Sequence, residues 1–204
     1  MKITAVIVGV NEWETYTRPA IESIHANDPD IDIIVIDNGS DPKYPILDDL
    51  VIRYKETVSY PEALNVGMKI ESDWYILLNN DILFHKPIYK KLMRLDPCKL
   101  YGFYQWDDVR IFPTPFLSSW CLFVSRELHQ EIGGFDEALK PMYFEDADFS
   151  LRAIQAGYPL ELLDRDEWGI QHLESRLHER KKYKHKHSEA WRANRLYVME
   201  KHGL

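Results

Sequence analysis

The sequence predicts an α/β fold in which helices cover both faces of a mainly parallel central sheet. Apolar, strand-like runs alternate with helix-like segments through the first half of the chain, which is the pattern of parallel α/β units. Three of these runs are apolar almost throughout, which is typical of strands buried on both faces. They are residues 3–10, 31–36 and 74–78.

The ends of the elements follow from proline and glycine positions. Pro19 and Pro61 stand near the starts of two predicted helices, where a missing amide N–H is tolerated. Gly133 and Gly157 end two others. The predicted helices are 16–26, 60–71, 86–95, 126–132, 145–156 and 188–202. The further predicted strands are 51–55, 117–125 and 160–163.

Composition limits the class of protein. The 204 residues, 45% of them hydrophobic, are enough for one full-sized domain and argue against disorder. No apolar run approaches the ~18 residues that cross a bilayer. Cys98 and Cys121 form neither a metal spacing nor a disulfide framework. With no export signal, we expect a cytoplasmic protein, either free in the cytoplasm or peripheral to a membrane.

The charge is unevenly distributed along the chain. The formal net charge is −8, but residues 172–202 hold nine Lys or Arg against four Asp or Glu. An acidic body argues against wholesale coating of nucleic acid. The sequence therefore divides into a body, 1–173, and a basic segment with a helix, 174–204, predicted to pack on the same domain. The basic segment has three possible contacts: phosphates, an anionic membrane surface or solvent.

Polar residues follow three of the predicted strands. They are Asn11-Glu12, Asp37-Asn38-Gly39-Ser40 and Asn79-Asn80-Asp81. Ligands of open parallel sheets bind beyond the carboxyl ends of the strands. The glycine-rich dinucleotide fingerprint, the phosphate loop and the GxSxG elbow are all missing from the sequence. A nucleotide would therefore be held by side chains and a metal ion.

The ordered motifs resemble those of family 2 glycosyltransferases, which have the GT-A fold, a three-layer α/β/α sandwich. The resemblance covers about residues 2–173. It rests on VIDNGS at 35–40, ALNVG at 63–67, YILLNND at 75–81, GGFDE at 133–137 and FEDADFSLRA at 144–153.

The resemblance implies an inverting, metal-dependent transfer of a hexose from a UDP- or dTDP-sugar to an acceptor hydroxyl. The implied acceptor is a glycan, a lipid-linked molecule or a nucleic acid. Asp146 would be the base that deprotonates the acceptor, with Glu145 as a catalytic and acceptor-binding neighbour. Trp120 would line the acceptor pocket. Asp81 and His172 would bind Mn²⁺ or Mg²⁺.

The resemblance also implies a nucleotide-sugar site at the strand ends. Asp37 would accept a hydrogen bond from the base or ribose, and Arg176 would stabilise the leaving phosphates. Asn79 replaces the first aspartate of the family's DxD motif, which removes one negative charge from the metal site. The other residues implied for this site are Val8, Val10, Asn11, Glu12, Asn38, Asn65, Asn79 and Asn80.

The reaction explains why these residue types are needed. A departing nucleoside diphosphate develops charge that a cation neutralises, and a single imidazole ligand favours Mn²⁺ over Mg²⁺. The acceptor hydroxyl has a high pKa, so a carboxylate must take its proton in the transition state. Because direct displacement inverts the anomeric centre, one base suffices.

Two other functions remain open from the sequence. The basic C-terminal segment suits a glycosyltransferase that acts on a modified base in DNA. Asn79 suits a GT-A domain that has lost catalysis and binds a nucleotide or glycan. Acidic residues at 145, 146 and 148 also suit a helix start for electrostatic reasons alone.

Overall fold

The computed structural model describes residues 1–47, 49–173 and 184–204, and it has the predicted α/β architecture. Its strands are β1 (Ile3–Gly9), β2 (Asp32–Asp37), β3 (Leu50–Arg53), β4 (Trp74–Asn79), β5 (Ile82–Phe84), β6 (Leu100–Gly102), β7 (Gln105–Trp106), β8 (Phe116–Leu117), β9 (Cys121–Ser125), β10 (Leu160–Leu162) and β11 (Ile170–His172). Its helices are α1 (Arg18–Asn27), α2 (Tyr60–Met68), α3 (Tyr89–Leu92), α4 (Arg126–Ile132), α5 (Glu145–Gln155), α6 (Arg165–Trp168) and α7 (Lys184–His202), and a π-helical turn, Trp13–Thr17, precedes α1.

Seven strands form the central sheet in the order β10-β6-β9-β4-β1-β2-β3. All neighbours are parallel except at β9, which runs antiparallel to both β4 and β6. The register pairs Gly9 with Asp37 and Val8 with Asn79. The carboxyl ends of β1, β2 and β4 therefore meet at one edge, so the three polar strand ends predicted from the sequence lie side by side.

The alternating side chains of β1 face two separate cores. Ile3, Ala5 and Ile7 pack with α1 on one face, and Val6 and Val8 pack with α2 on the other. All five side chains are buried, which explains why the run lacks polar residues. The sheet is thus the middle layer of the predicted three-layer sandwich.

A third core lies under the C-terminal helix. Val198 of α7 packs with Phe144, Ala147 and Leu151 around the start and middle of α5. At the end of α7, Lys201 and His202 contact the buried carboxylate of Asp148 at 2.7 and 2.9 Å, and Arg152 binds it at 2.8 Å. The position of Asp148 at a helix start predicts a favourable interaction with the helix terminus, whereas in the structure its carboxylate also joins α7 to α5.

Two predicted elements differ from the observed ones. The predicted strand 117–125 is two strands, β8 and β9, because the chain pairs first with β7 and then joins the central sheet. The predicted helix 86–95 is reduced to α3. The carboxylate of Asp28 accepts the backbone N–H groups of Ile88 and Tyr89 and thereby sets the start of that helix. The strands β5, β6 and β7 and the helix α6 have no counterpart among the predicted elements.

No helix within the described ranges has the length and hydropathy that crossing a bilayer requires.

Helix α2 approaches β1 closely at Gly67. A Cβ atom at this position would overlap the Cγ1 atom of Val6. We expect Gly67→Ala to lower the free energy of unfolding by about 1–3 kcal/mol, because extra volume in a packed core forces neighbours to shift. Chemical denaturation measures the change.

Val6→Ala provides the matched control for this contact, since it removes the atoms that would overlap. We expect the double variant to lose less free energy of unfolding than the sum of the losses in the two single variants. Strict additivity would show that the α2–β1 contact does not limit the side chain at position 67.

Candidate active site

A cavity of about 890 Å³ opens where β4 ends and where α2 and α5 begin. Five of the residues predicted for the site line it: Asn79, Trp120, Glu145, Asp146 and His172. The structure therefore brings together residues that are nearly a hundred positions apart. The other described lining residues are Tyr60, Trp106, Ile111, Phe116, Ser118, Ser119, Met142, Tyr143, Phe144, Ser188 and Trp191.

The predicted metal ligands, Asp81 and His172, are in contact. His172 Nε2 lies 3.4 Å from Asp81 Oδ2, and Asp81 is only 2% exposed. The β5–β11 ladder creates this contact, since His172 is paired with Ile82 and the N–H of Leu173 donates to the carbonyl of Asp81. A carboxylate and an imidazole thus stand together where β4 ends.

An aromatic side chain orients the imidazole. The ring of Trp120 stacks on that of His172, with centroids 4.7 Å apart and planes inclined by 24°. The guanidinium of Arg165 lies 4.8 Å from the Trp120 ring, within cation–π range. Trp120 was predicted to line the acceptor pocket; it does line the cavity, and its ring is also occupied by these two contacts. Arg165 was not predicted, because it lies outside the motifs that indicate the site.

The two carboxylates at the start of α5 have different surroundings. Glu145 is 4% exposed, and its Oε1 accepts a hydrogen bond from the Ser119 hydroxyl at 3.1 Å. Its Oε2 has no hydrogen-bond partner among the described residues. Asp146 is only partly buried and accepts from the backbone N–H of Ala147 at 2.9 Å and of Ser119 at 3.4 Å. Asp146 is therefore the more accessible of the two acids.

The environment raises the proton affinity of both acids. Burial raises the pKa of Glu145, because a carboxylate in an apolar site loses its hydration. Burial also raises the pKa of Asp146 well above its usual value, and the adjacent charge of Glu145 raises it further. Asp146 is thus a stronger base than an ordinary aspartate.

The backbone just before the acids adopts a conformation that is rare for residues with a side chain. Tyr143 has φ of 85° and Phe144 has φ of 63°. The left-handed conformation costs about 1–2 kcal/mol per residue for an L-amino acid. Such strain persists only when the surrounding structure enforces it, and it is concentrated at functional sites.

Tyr60 was not predicted, yet it connects two parts of the site. Its hydroxyl donates to Asn79 Oδ1 at 2.8 Å and lies 3.3 Å from the carbonyl oxygen of Ser119. Burial and the charges of Glu145, Asp81 and Asp146 raise the pKa of Tyr60 well above its usual value, so the phenol keeps its proton. The amide at position 79, where the family motif has an aspartate, therefore accepts a hydrogen bond from the protein.

The predicted nucleotide ligand Asp37 is 1% exposed and orders the loop after β2. Its Oδ1 accepts the N–H of Ser40 at 3.1 Å, and its Oδ2 accepts the N–H of Tyr44 at 3.0 Å. Asn38 holds the segment before α2, since its amide both donates to and accepts from the backbone of Val58. A contact of Asp37 or Asn38 with a nucleotide stays a prediction.

The predicted turn after β1 is fastened to the loop after β2. Asn11 and Glu12 both adopt left-handed conformations, with φ of 54° and 53°. The N–H of Asn11 donates to Ser40 Oγ at 2.8 Å, and Asn11 Oδ1 accepts the N–H of Asp41 at 2.9 Å. Of the two valines predicted beside the nucleotide, Val8 is buried in the core and Val10 is half-buried.

Two other predicted residues hold elements of the fold together. The amide of Asn80 is buried and donates to Thr17 Oγ1 at 2.9 Å. The amide of Asn65 exchanges two hydrogen bonds with the backbone of Phe135 and donates to Glu137. Neither belongs to the described lining of the cavity. The predicted phosphate ligand Arg176 lies outside the described residues.

The donor set at Asp81 and His172 suits one kind of metal site. No group of three or more His, Cys, Asp or Glu in the described part of the chain is arranged to share an ion. A closed structural site, which needs about four protein ligands, is therefore not formed by these residues. One carboxylate and one imidazole fit a divalent cation whose other ligands are phosphate oxygens and water.

Comparison with known proteins identifies the class of fold. Neither a family model nor a curated protein matches the sequence. Among solved structures, a mannosyltransferase from Pyrobaculum calidifontis in complex with GDP-Man and Mn²⁺ superposes with a TM-score of 0.62 at 15% identity, over 80% of this chain and 55% of that chain. The chain therefore has the GT-A fold, which confirms the predicted fold class.

Two further structures give the same result. GalNAc-T7 with UDP, GalNAc and Mn²⁺ matches with a TM-score of 0.63 at 17% identity, over 78% of this chain and 42% of that chain. TarS residues 1–349 from S. aureus, in complex with UDP, match with a TM-score of 0.61 at 17% identity, over 80% of this chain and 58% of that chain. The chain spans roughly half the length of these glycosyltransferases, and the identities are low enough that the likeness establishes the fold alone.

The raised pKa of Asp146 predicts a pH-dependent stability cost. Below the usual pKa of aspartate, Asp146 is protonated in both the folded and the unfolded state, so folding stability is unaffected. As pH rises from the usual pKa to the raised one, only the unfolded state loses this proton, and the folded state becomes progressively less stable. We expect Asp146→Asn to be as stable as the parent near pH 4 and more stable near pH 8.

Denaturation at both pH values measures this difference. Each tenfold change in the acid dissociation constant corresponds to about 1.4 kcal/mol. The amide retains an acceptor for the N–H of Ala147, so only the 3.4 Å contact with Ser119 is lost. A variant that is less stable than the parent at pH 8 would contradict the raised pKa of Asp146.

Proposed function

We propose that the chain is an inverting, metal-dependent glycosyltransferase that moves a hexose from a nucleotide-activated donor to an acceptor hydroxyl. One observation carries the proposal. A single cavity in a GT-A fold is lined both by a partly exposed carboxylate of raised pKa, Asp146, and by His172, which contacts Asp81. These are the two functions that the reaction needs, a base for the acceptor and ligands for a cation.

In this proposal Asp146 takes the proton of the acceptor hydroxyl as the new glycosidic bond forms. Its raised pKa makes proton transfer more favourable, as general base catalysis requires. Glu145 is buried and accepts a hydrogen bond from Ser119. Its negative charge raises the pKa of Asp146 and so makes Asp146 a stronger base. Direct displacement needs one base and no carboxylate nucleophile, and it inverts the configuration at the anomeric carbon.

Asp81 and His172 are proposed to hold Mn²⁺ or Mg²⁺. The bound ion would supply charge neutralisation for the departing nucleoside diphosphate. The stack of Trp120 on His172 keeps the imidazole aligned towards Asp81. Asp37, Asn38 and the turn at Asn11 and Glu12 border the strand ends and are proposed to face the nucleotide, which is a UDP- or dTDP-sugar in this proposal.

The acceptor side of the proposal favours a glycan. Aromatic side chains form much of the described cavity wall around Asp146, and their flat apolar faces suit a sugar ring. None of the described lining residues is Lys or Arg, whereas a nucleic-acid site needs cations for the phosphates. The Phe, Tyr and Trp residues of the described lining are Tyr60, Trp106, Phe116, Trp120, Tyr143, Phe144 and Trp191.

Donor and metal binding can be tested together by thermal denaturation. We expect UDP or dTDP to raise the melting temperature more than GDP does, and Mn²⁺ to increase that shift. A ligand at a hundred times its Kd adds about 2.7 kcal/mol of stability. Asp81→Asn is expected to abolish the Mn²⁺-dependent increment.

His25→Gln is the matched control for this experiment. His25 forms an imidazole–carboxylate contact with Asp49 at 3.1 Å, away from the cavity. The control should keep the full Mn²⁺ increment. If no nucleotide with Mn²⁺ shifts the unsubstituted protein, the proposed function is wrong.

The role of Asp146 can be tested by turnover. We expect Asp146→Asn to lower the rate of transfer by about 10²–10⁴-fold, the contribution typical of a general base, while nucleotide affinity stays unchanged. The parent rate should rise with pH through the raised pKa of Asp146, because only the ionised form accepts a proton.

In the same assay, Glu145→Gln distinguishes the contribution of Glu145 from that of Asp146. Since the charge of Glu145 raises the pKa of Asp146, its removal should move the rising limb of the pH–rate profile to lower pH. An unchanged limb would contradict the coupling. Nucleotide binding without turnover by the parent protein would favour the alternative, a GT-A module that binds and does not catalyse.

A further inference from the structure

Asn194 of α7 reaches across to the loop that leads into the acidic pair. The side chain is 7% exposed, and its amide nitrogen lies 3.3, 2.9 and 3.2 Å from the carbonyl oxygens of Lys140, Met142 and Tyr143. A side-chain amide has two N–H groups, so three carbonyls share two donors. The amide of Asn194 thus donates hydrogen bonds to three carbonyl groups of a single loop.

The same loop contains the strained part of the backbone. Tyr143 and Phe144 are consecutive residues with positive φ, and neither is glycine. The carbonyl of Phe144 accepts the N–H of Asp148 at 2.9 Å, so the turn defines where α5 begins. A relaxation of the turn would therefore displace the residues that follow it.

Helix α7 is held in place by residues that follow Asn194 along the chain. Arg195 donates from Nε to the carbonyl of Ile111 at 2.7 Å. Val198 is fully buried, and Lys201 binds the carboxylate of Asp148 at 2.7 Å. Asn194 is thus presented to the loop from a fixed position.

We propose that Asn194 is a positioning residue for the acidic pair. It holds the left-handed turn at Tyr143 and Phe144 and thereby determines where Glu145 and Asp146 stand in the cavity. The effect on the loop follows from these contacts alone. Its consequence for catalysis rests on the proposed function of Asp146.

If Asn194 had only a packing role, the isosteric substitution Asn194→Asp would have a different effect from the one expected for a hydrogen-bonding role. Asn194→Asp keeps the shape of the side chain but turns a donor into an acceptor, which would face three carbonyl oxygens. If Asn194 only filled space, Asp would be tolerated better than Ala. If it holds the turn by donation, Asp is at least as disruptive as Ala.

Hydrogen exchange of the full chain, followed by mass spectrometry, tests the proposal without any substrate. We expect backbone amides in residues 140–148 to exchange about tenfold faster in Asn194→Ala, and at least as fast in Asn194→Asp. Peptides from β1 and the end of α7 should be unchanged. Leu196→Ala, at an exposed position on the same helix, is the matched control and should match the parent.

A second variant keeps the test decisive if Asn194→Ala is poorly folded. Glycine adopts positive φ without a steric cost, so Tyr143→Gly should reduce the dependence of the turn on Asn194. The double variant should exchange more slowly in 140–148 than Asn194→Ala. Unchanged exchange in 140–148, equal acceleration along all of α7, or no recovery in the double variant would overturn the proposal.

Activity provides a readout that separates this inference from the proposed function. Where the parent turns over, Asn194→Ala should lower kcat more than it raises KM and should shift the pH–rate profile. If the parent shows no turnover, the proposed function fails while the exchange result still decides the role of Asn194. If the parent turns over and its pH–rate profile is unaffected by Asn194→Ala, the positioning role fails.

Discussion

Two adjacent carboxylates held at the start of one helix impose the main constraint on this structure. Water solvates Glu145 poorly, and its charge acts directly on Asp146. Hydrogen bonds from Ser119 partly compensate for this cost, whereas the strained turn that precedes α5 adds to it. The result is a base of raised proton affinity at the edge of a cavity. A fold selected for stability alone would not place these charges together.

The rest of the site is organised around that pair. Tyr60 bridges the acidic side to Asn79 at the end of β4, and the β5–β11 ladder brings His172 to Asp81. Trp120 then fills the space between the imidazole and Arg165. Each link joins elements that are distant in sequence, so the cavity depends on the whole sheet. The low identity to GT-A glycosyltransferases of known structure agrees with this, since the common feature is the arrangement of elements.

Several residues that the resemblance marks for ligands also hold the fold together. Asp37 and Asn80 direct polar atoms to backbone N–H groups or to a buried hydroxyl, and Asn65 contacts the backbone of Phe135 and the carboxylate of Glu137. These contacts order segments that border the predicted nucleotide-sugar site, and a contact with the nucleotide itself stays a prediction. The sequence cannot separate the two roles, because the same residue type serves both.

Local sequence signals predict the layered fold, the polar strand ends and five of the residues that line the cavity. These follow from local signals: continuous apolar runs, glycine and proline at element ends, and short motifs in a fixed order. Tyr60, Arg165 and Asn194 are recognised as part of the site or as its support from their contacts in the folded chain alone. Their contributions arise from contacts across 19 to more than 50 positions of sequence, and no local pattern encodes which distant atoms a side chain will meet.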